Sequence, residues 1–256
     1  MARKPRIELA GYHHVINRGV NKSDIFKDSD DYDKFLAIVC KACRLYSVVL
    51  HDYCLMSNHF HLLIETTKKN LSSFMKHING NYAMYANKKY KRSGHFWQGR
   101  FYSRYIANEY YYYTLIRYIE RNPIEAKIVD NIKDYPYTLG SIIANKKTPI
   151  KCTLKSKLLQ ELTYENIQEL IGIKLNDEEL KILEEIKNQK IMQKDKDKKL
   201  AYSKSLKEHF GKCKTKDDRN KAILQALNDG YTQIQIANFL NLSRSLVSKI
   251  VKEKFE

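Results

Sequence analysis

Two histidines separated by one residue lie in an apolar stretch of the chain. His59 and His61 flank Phe60, and the residues before and after them, 53–56 and 62–64, are mostly apolar. This composition predicts a buried strand, on which alternate side chains share a face, so His59 and His61 should point the same way. Neutral imidazole is a common metal ligand. The pair is therefore a candidate metal site, with hydrogen-bonded core histidines as the alternative.

A second group of reactive residues lies on a helix that is predicted to end before Pro123, since the residue ahead of a proline is pushed out of helical geometry. Tyr118 and Asn122 are four residues apart and share a helical face. An amide oxygen suits a hard cation, and a phenol beside a cation that neutralises a phosphate is a candidate nucleophile. Any of the five tyrosines at 110–113 and 118 could instead be structural, and a neighbour such as Tyr112 or Tyr113 is the alternative for that role.

Four sequence blocks together resemble the single-tyrosine HUH transposases, and within them the REP-associated tyrosine transposase branch. They lie at 12–19, 53–63, 96–101 and 118–123 and follow the order found in the family. The resemblance covers roughly residues 8–140. It implies an α+β fold, in which a ferredoxin-like antiparallel sheet with helices forms an HUH nuclease domain.

The resemblance also implies a chemistry. His59, His61 and Asn122 would bind Mg²⁺ or Mn²⁺, and Tyr118 would attack a phosphodiester of single-stranded DNA. The products would be a 5′-phosphotyrosine and a free 3′-hydroxyl, so that rejoining needs no ATP. Members of the family usually recognise a hairpin next to the cleavage site, which makes single-stranded or hairpin DNA the expected partner.

The charge of the chain points to the same class of partner. Its 256 residues carry 46 Lys and Arg against 29 Asp and Glu, a net charge of +17. Such an excess indicates a polyanion, nucleic acid first and an acidic membrane surface second. Basic and aromatic residues between the motifs are candidate DNA contacts, although for each one a solvated or core position is the simpler explanation. They are Arg18, Lys91, Arg92, Trp97, Arg100 and Arg104.

The predicted elements place these groups on an alternation of strands and helices. Such an alternation suits one antiparallel or mixed sheet with helices packed against it. Strands are predicted at 12–17, at 47–54, in the run that continues from there through residue 64, and at 96–106. Helices are predicted at 28–46, 70–89 and 108–122.

The last third of the chain is predicted to be all-α and to end in a helix-turn-helix. Two short helical patterns, 232–240 and 244–251, are joined by a turn at 241–243. Arg244, Ser245 and Lys249 on the second helix are the candidate contacts to duplex DNA. A plain helical hairpin is the alternative. We predict three segments: a nuclease domain at 1–147, a charged helical connector at 148–216, of which 187–199 is an exposed helix or linker, and the DNA-binding module at 217–256.

Five cysteines are scattered along the chain. Cys40 and Cys43 form a Cys-x-x-Cys inside an amphipathic helical pattern, with no second pair to complete a zinc site. We therefore expect core thiols in a reduced, cytoplasmic protein, associated with the nucleoid when bound to DNA. No signal peptide or membrane-length apolar run is recognisable, so no membrane contact is expected. The chain would act as a monomer or homodimer.

Three functions are compatible with these observations. The first is a metal-dependent transposase that cleaves and rejoins single-stranded DNA. The second keeps the chemistry in a rolling-circle replication or transfer initiator, and the absence of a helicase-like motif weighs against it. The third is a DNA-binding transcriptional regulator derived from a transposase, which the intact set of His59, His61, Tyr118 and Asn122 disfavours.

Overall fold

A computed structural model describes residues 8–106, 109–188, 191–193, 200–202, 205–211, 213, 215–228, 231 and 233–252. The chain divides into two compact units, Met1–Asn176 (unit 1) and Asp177–Glu256 (unit 2).

Unit 1 is built on a four-stranded antiparallel sheet in the order β2-β3-β1-β4. Two long helices make the connections from β1 to β2 and from β3 to β4. This βαββαβ arrangement is the ferredoxin-like fold that the resemblance implies. The elements are β1 (Gly11–Arg18), α1 (Ser29–Tyr46), β2 (Val48–Met56), β3 (His59–Thr66), α2 (Leu71–Lys89) and β4 (Tyr102–Ile106).

The two faces of the sheet have different coverings. Phe60 lies on the face covered by α1 and α2, where its ring centroid is 4.7 Å from that of Phe35 and 5.8 Å from that of Trp97. His59 and His61 point to the opposite face, as strand alternation predicts. That face is covered by α3 (Glu109–Glu125).

Helix α3 continues past Pro123, so the predicted end before this proline is wrong. The proline has no N–H to give to the carbonyl of Ile119 four residues earlier. The side chain of Asn122 supplies a substitute, since its Nδ2 donates to Ile119 O at 3.3 Å and to Tyr118 O at 2.6 Å. The proline therefore sits in the last turn without leaving that carbonyl unpaired.

A β-bulge interrupts β2. Leu50 pairs with Ile64 and Asp52 pairs with Leu63, so His51 is an extra residue on this strand. The ring of His51 contacts Tyr12 on β1, with a centroid distance of 5.1 Å.

The segment after α3 packs within unit 1. It contains α4 (Leu139–Ala144), α5 (Lys157–Glu161) and α6 (Tyr164–Gly172), with short 3-10 turns at Ile132–Asp134 and Lys151–Thr153. The backbone N–H of Lys157 donates to His51 Nδ1 at 2.9 Å. Residues 148–176 thus belong to unit 1. The division into a nuclease domain, a connector and a DNA-binding module, with boundaries at 147 and 216, stays a prediction about function.

The expectation that Cys40 is a free core thiol is wrong, because Cys40 forms a disulfide with Cys152. The two residues are 112 positions apart, and the turn that carries Cys152 packs against α1, a contact that cysteine spacing does not reveal. Cys43 is a buried free thiol, as expected.

The predicted strand at 96–106 forms only over its second half, as β4. Trp97 instead makes an isolated bridge to Gly19, and its indole Nε1 donates to Asn79 O at 2.9 Å. The aromatic residues at the start of this segment therefore pack into the core, which is why strand-like composition misled the prediction.

Unit 2 is helical apart from a hairpin of two three-residue strands, which amends the all-α expectation. Part of the segment 187–199 lies outside the described residues, and the hairpin begins within it. The elements are α7 (Asp177–Asn188), β5 (Ile191–Gln193), β6 (Leu200–Tyr202), α8 (Leu206–Phe210), α9 (Lys216–Asn228), α10 (Gln233–Leu240) and α11 (Arg244–Lys252).

Helices α9, α10 and α11 share one apolar core that includes Ile223, Ile236 and Val247. Asn241, in the left-handed region at φ 51°, allows the sharp turn between α10 and α11. Two short helices with a tight turn fit the predicted module, and DNA binding by it stays a prediction. Within the described residues, no helix is both long and apolar enough to cross a membrane.

The core on the Phe60 face should carry much of the stability of unit 1. We expect Phe60→Ala to lower the free energy of unfolding by about 3–5 kcal/mol, because it removes a fully buried ring. Urea denaturation followed by circular dichroism measures the change. Leu45→Ala on α1, where Leu45 is 60% exposed, is the control and should change stability by less than about 0.5 kcal/mol. Equal effects of the two substitutions would contradict this description of the core.

Candidate active site beneath helix α3

Three histidines lie together on the sheet face beneath α3. His61 on β3 pairs across the ladder with Ile16 on β1, and Leu63 pairs with His14, so His14 and His61 are diagonal neighbours. His14 Nε2 and His61 Nδ1 are 2.9 Å apart and hydrogen-bonded, and the two rings stack with centroids 5.2 Å apart. With Nδ1 of His61 engaged in this way, Nε2 is the atom through which it would bind a cation.

His59 is oriented by its neighbour in the turn. Its Nδ1–H donates to Asn58 Oδ1 at 2.6 Å, because an amide oxygen can only accept. Burial, followed by the charge of Arg18, lowers the pKa of His59 to about 4. The ring is thus neutral near pH 7, in the state in which imidazole binds metals. Its Nε2 is the corresponding ligand atom.

Tyr118 on α3 sits edge-on against both buried histidines. Its ring centroid is 5.9 Å from that of His61 and 6.3 Å from that of His14. Burial raises the pKa of the Tyr118 phenol, and the positive charge of Arg104 acts in the opposite direction. The structure therefore brings together three of the residues that the sequence singles out, namely His59, His61 and Tyr118.

Asn122 lies one turn further along α3, and its two hydrogen bonds described above remain within that helix. Because both bonds use the amide nitrogen, the amide oxygen is the remaining polar atom of the side chain. Among the described residues, no group of three or more His, Cys, Asp or Glu is arranged to hold a metal ion. Beside His59 and His61, this amide oxygen is a further candidate ligand.

The predicted DNA-contacting residues of unit 1 fall into two groups. Arg18 and Arg104 lie beside the site, since each acts on the pKa of a site residue. Arg104 also stacks on exposed Tyr102, with the guanidinium carbon 4.9 Å from the ring centroid.

The remaining residues lie in the 91–100 segment. Lys91 and Arg100 are exposed, and Arg92 lies over the ring of Phe96 at 5.5 Å. Trp97 is half-buried and its ring is packed against core aromatics, so its contacts are accounted for by the fold.

Sequence reasoning missed the residues that orient the histidines. In the sequence, Asn58 and His14 stand out only as members of the blocks at 53–63 and 12–19. The signal for Asn58 was its place next to His59 in the turn, and the signal for His14 was its position on an adjacent strand. Residues of this kind hold metal ligands in one orientation.

A family model described as "Transposase IS200 like" matches residues 9–122, which include His59, His61, Tyr118 and Asn122. This segment is a domain of the IS200-like transposase family. No curated protein matches the chain.

Three solved structures are similar to parts of the chain. A REP-associated tyrosine transposase bound to a REP hairpin is 18% identical, with a TM-score of 0.48, covering 58% of this chain and 89% of its own. A putative transposase from Deinococcus radiodurans R1 is 19% identical, with a TM-score of 0.34, covering 47% and 97%. The tRNA(His) guanylyltransferase from Saccharomyces cerevisiae is 14% identical, with a TM-score of 0.37, covering 68% and 84%.

The electrostatic description of His59 in the transposase domain is testable without DNA. We expect Arg18→Gln to raise the pKa of His59, because a positive charge that opposes protonation is removed. The new pKa should stay below 6.5, since burial is the larger cause and is unchanged. Titration of the ring protons by NMR measures the change. Arg100→Gln is the control, and an equal rise in that variant would contradict the assignment to Arg18.

Proposed function

We propose that this protein, whose residues 9–122 match the IS200-like transposase family, cleaves and rejoins single-stranded DNA with Tyr118 as the nucleophile. The observation that carries the proposal is the position of the Tyr118 ring, edge-on to His61 on the sheet face that also bears His59. A phenol next to imidazole groups suits phosphoryl transfer at a cation-assisted site. The family to which residues 9–122 belong supports DNA as the substrate.

The proposed cleavage is a transesterification. The phenol oxygen of Tyr118 forms a bond to phosphorus, and the bond from phosphorus to the 3′-oxygen breaks. The phenol proton is lost to solvent base, and the departing 3′-oxygen takes up a proton. Because one phosphodiester replaces another, the reverse reaction with a 3′-hydroxyl rejoins the strand without ATP.

Burial makes the phenol of Tyr118 harder to ionise, so the site needs positive charge. The positive charge of Arg104 favours the phenolate, because it lowers the pKa of Tyr118. As a guanidinium, it also suits the binding of a phosphate oxygen. We propose that Arg104 holds the scissile phosphate beside Tyr118.

A divalent cation fits the donor set of the site. We propose that His59 and His61 bind it through Nε2 and that the amide oxygen of Asn122 is the third ligand. Two imidazoles with one amide oxygen suit Mn²⁺ at least as well as Mg²⁺, which prefers oxygen ligands. Such an ion would supply positive charge to the scissile phosphate and to the departing oxygen.

The substrate that we propose is single-stranded DNA next to a hairpin, which the sequence resemblance implies. We propose that Arg18 and the Arg104–Tyr102 stack, which lie beside the site, contact the strand. An exposed aromatic ring can stack an unpaired base, and guanidinium groups can follow the phosphates.

The decisive experiment detects the covalent intermediate. Labelled single-stranded hairpin DNA with Mn²⁺ should give a protein–DNA adduct that resists denaturation. We expect Tyr118→Phe to abolish the adduct, because the attacking oxygen is gone, and EDTA or His61→Ala to reduce it at least about 100-fold. Gel electrophoresis under denaturing conditions measures the yield.

Tyr113→Phe is the matched control, because Tyr113 lies on a different part of α3. Its hydroxyl group donates a hydrogen bond to Glu161 on α5 at 3.1 Å. This variant should form the adduct like the wild type. An adduct that persists in Tyr118→Phe would move the nucleophile to another tyrosine. The absence of an adduct on every hairpin tested would favour a DNA-binding transcriptional regulator derived from a transposase.

We further propose that unit 2 binds duplex DNA through α11. The predicted contacts Arg244, Ser245 and Lys249 are all exposed at this helix. The hydroxyl of Ser243 caps it by accepting from Leu246 N at 3.2 Å, which leaves its N-terminal turn ordered for contact with a groove.

For α11, we expect Lys249→Gln to weaken binding to a duplex of arbitrary sequence and to lower the salt-dependence slope by about 1, because one phosphate contact is lost. Fluorescence anisotropy at several salt concentrations measures both. Lys216→Gln, at an exposed position on α9, is the control and should leave the slope unchanged. An unchanged slope in Lys249→Gln would argue for a plain helical hairpin.

A further inference from the structure

We infer that Leu246 on α11 packs against the methyl group of a thymine in the major groove, so that unit 2 prefers duplexes with thymine at one fixed position. This role rests on the proposal that α11 binds duplex DNA, and it adds which chemical group the helix would read there. Leu246 belongs to unit 2 and is separate from the residues proposed to cleave DNA.

Leu246 stands out because the apolar core of unit 2 does not account for it. Val247 and Ile250 on the same helix are buried members of that core. Leu246 is 39% exposed. In the described part of unit 2, the partly buried apolar side chains that pack against the core do not include it, and they are Leu206, Phe210, Leu227, Leu240 and Leu242. The apolar side chain of Leu246 is therefore available to a binding partner.

The surroundings of Leu246 favour a polyanion as that partner. A single exposed apolar side chain is common on protein surfaces, so its neighbours decide what it can bind. Leu246 and Lys249 are three residues apart and are therefore adjacent on the helix surface, where Lys249 is also exposed. Arg244 is exposed at the start of the helix, and the sequence 244–252 contains no acidic residue. Duplex DNA is complementary in charge to such a surface.

The first turn of α11 is ordered before any DNA is bound. Ser243 Oγ accepts from Leu246 N at 3.2 Å, and Ser243 Oγ and Ser245 Oγ are hydrogen-bonded at 3.0 Å. The hydroxyl group of Ser245 is thus engaged within the turn. Because the backbone of Leu246 is already held, its side chain can meet a base with little further loss of conformational entropy.

A thymine methyl group is the apolar partner that the major groove offers. The other recognition groups on the base edges in that groove are hydrogen-bond donors and acceptors. In a helix-turn-helix, the N-terminal residues of the second helix meet these edges, and Leu246 is the third residue of α11. Arg244, the first residue, suits O6 and N7 of a guanine. We therefore expect the preferred site to contain a thymine close to a guanine.

The first test uses the full-length wild-type protein and changes only the DNA. A library of random duplexes, with EDTA present to prevent cleavage, is enriched for sequences that bind. Each thymine of the enriched duplex is then replaced in turn by uracil, which lacks the methyl group, and fluorescence anisotropy measures the affinity. We expect replacement at one position to weaken binding about fourfold, because one methyl-sized apolar contact is lost.

The second test removes the leucine side chain. Leu246→Ala should bind the thymine duplex about fourfold more weakly than the wild type and should bind the thymine and uracil duplexes equally well. A variant that merely folded less well would bind both duplexes more weakly and keep the wild-type ratio between them. Leu180→Ala, at a 46% exposed position on α7, is the matched control and should keep the full preference for thymine.

Three results would overturn the inference. The first is a wild type that binds every uracil duplex as tightly as the thymine duplex. The second is a Leu246→Ala variant that keeps the wild-type preference for thymine. The third is a wild type that sediments as a dimer while Leu246→Ala sediments as a monomer, which would assign Leu246 to an interface between copies of this chain. If the wild type binds no duplex at all, the proposed function of α11 itself fails, and Leu246 has no base to read.

Discussion

Packing of α3 against a polar sheet face is the constraint on which the rest of unit 1 depends. The other face of the sheet is apolar and is covered by α1 and α2 in the ordinary way of a ferredoxin-like fold. The face beneath α3 carries imidazole and carboxyl groups instead. Because an unpaired buried polar group costs about 1–3 kcal/mol, such side chains favour positions with hydrogen-bond partners. His14 and His61 bond each other, and Glu120 accepts from the backbone N–H of Gly140 at 2.7 Å.

The same burial has opposite effects on the two halves of the site. It keeps His59 neutral, which prepares the imidazole to bind a cation. It also disfavours the phenolate of Tyr118, which makes this side chain a poor nucleophile without help. In the proposed reaction, positive charge at the site would therefore favour the phenolate. Arg104 from β4 provides part of that charge within the protein.

Local periodicity was enough to predict the orientation of the histidines, because a strand has a side-chain period of two and Phe60 had to take the opposite face. The family resemblance predicted a ferredoxin-like antiparallel sheet and a site that brings Tyr118 to the two histidines. Contacts between distant segments could not be read in this way. The register that joins His14 to His61 and the pairing of Cys40 with Cys152 depend on tertiary packing. The continuation of α3 through Pro123 depended on a side chain that replaces a backbone donor.

The bulge at His51 also bears on how the sheet folds and where it can grow. If β2 paired regularly with β3 after Leu50, with no bulge at His51, Asp52 would point to the face that carries Phe60 and Phe35. A carboxyl group buried among aromatic rings would raise the free energy of that register during folding. β2 is an edge strand, and its outer side is further occupied where Leu55 N donates to Tyr137 O at 3.0 Å. A bulged and partly covered edge offers little regular backbone to an incoming strand. Uncontrolled addition of a strand from another molecule is thus restricted to the short β4 edge.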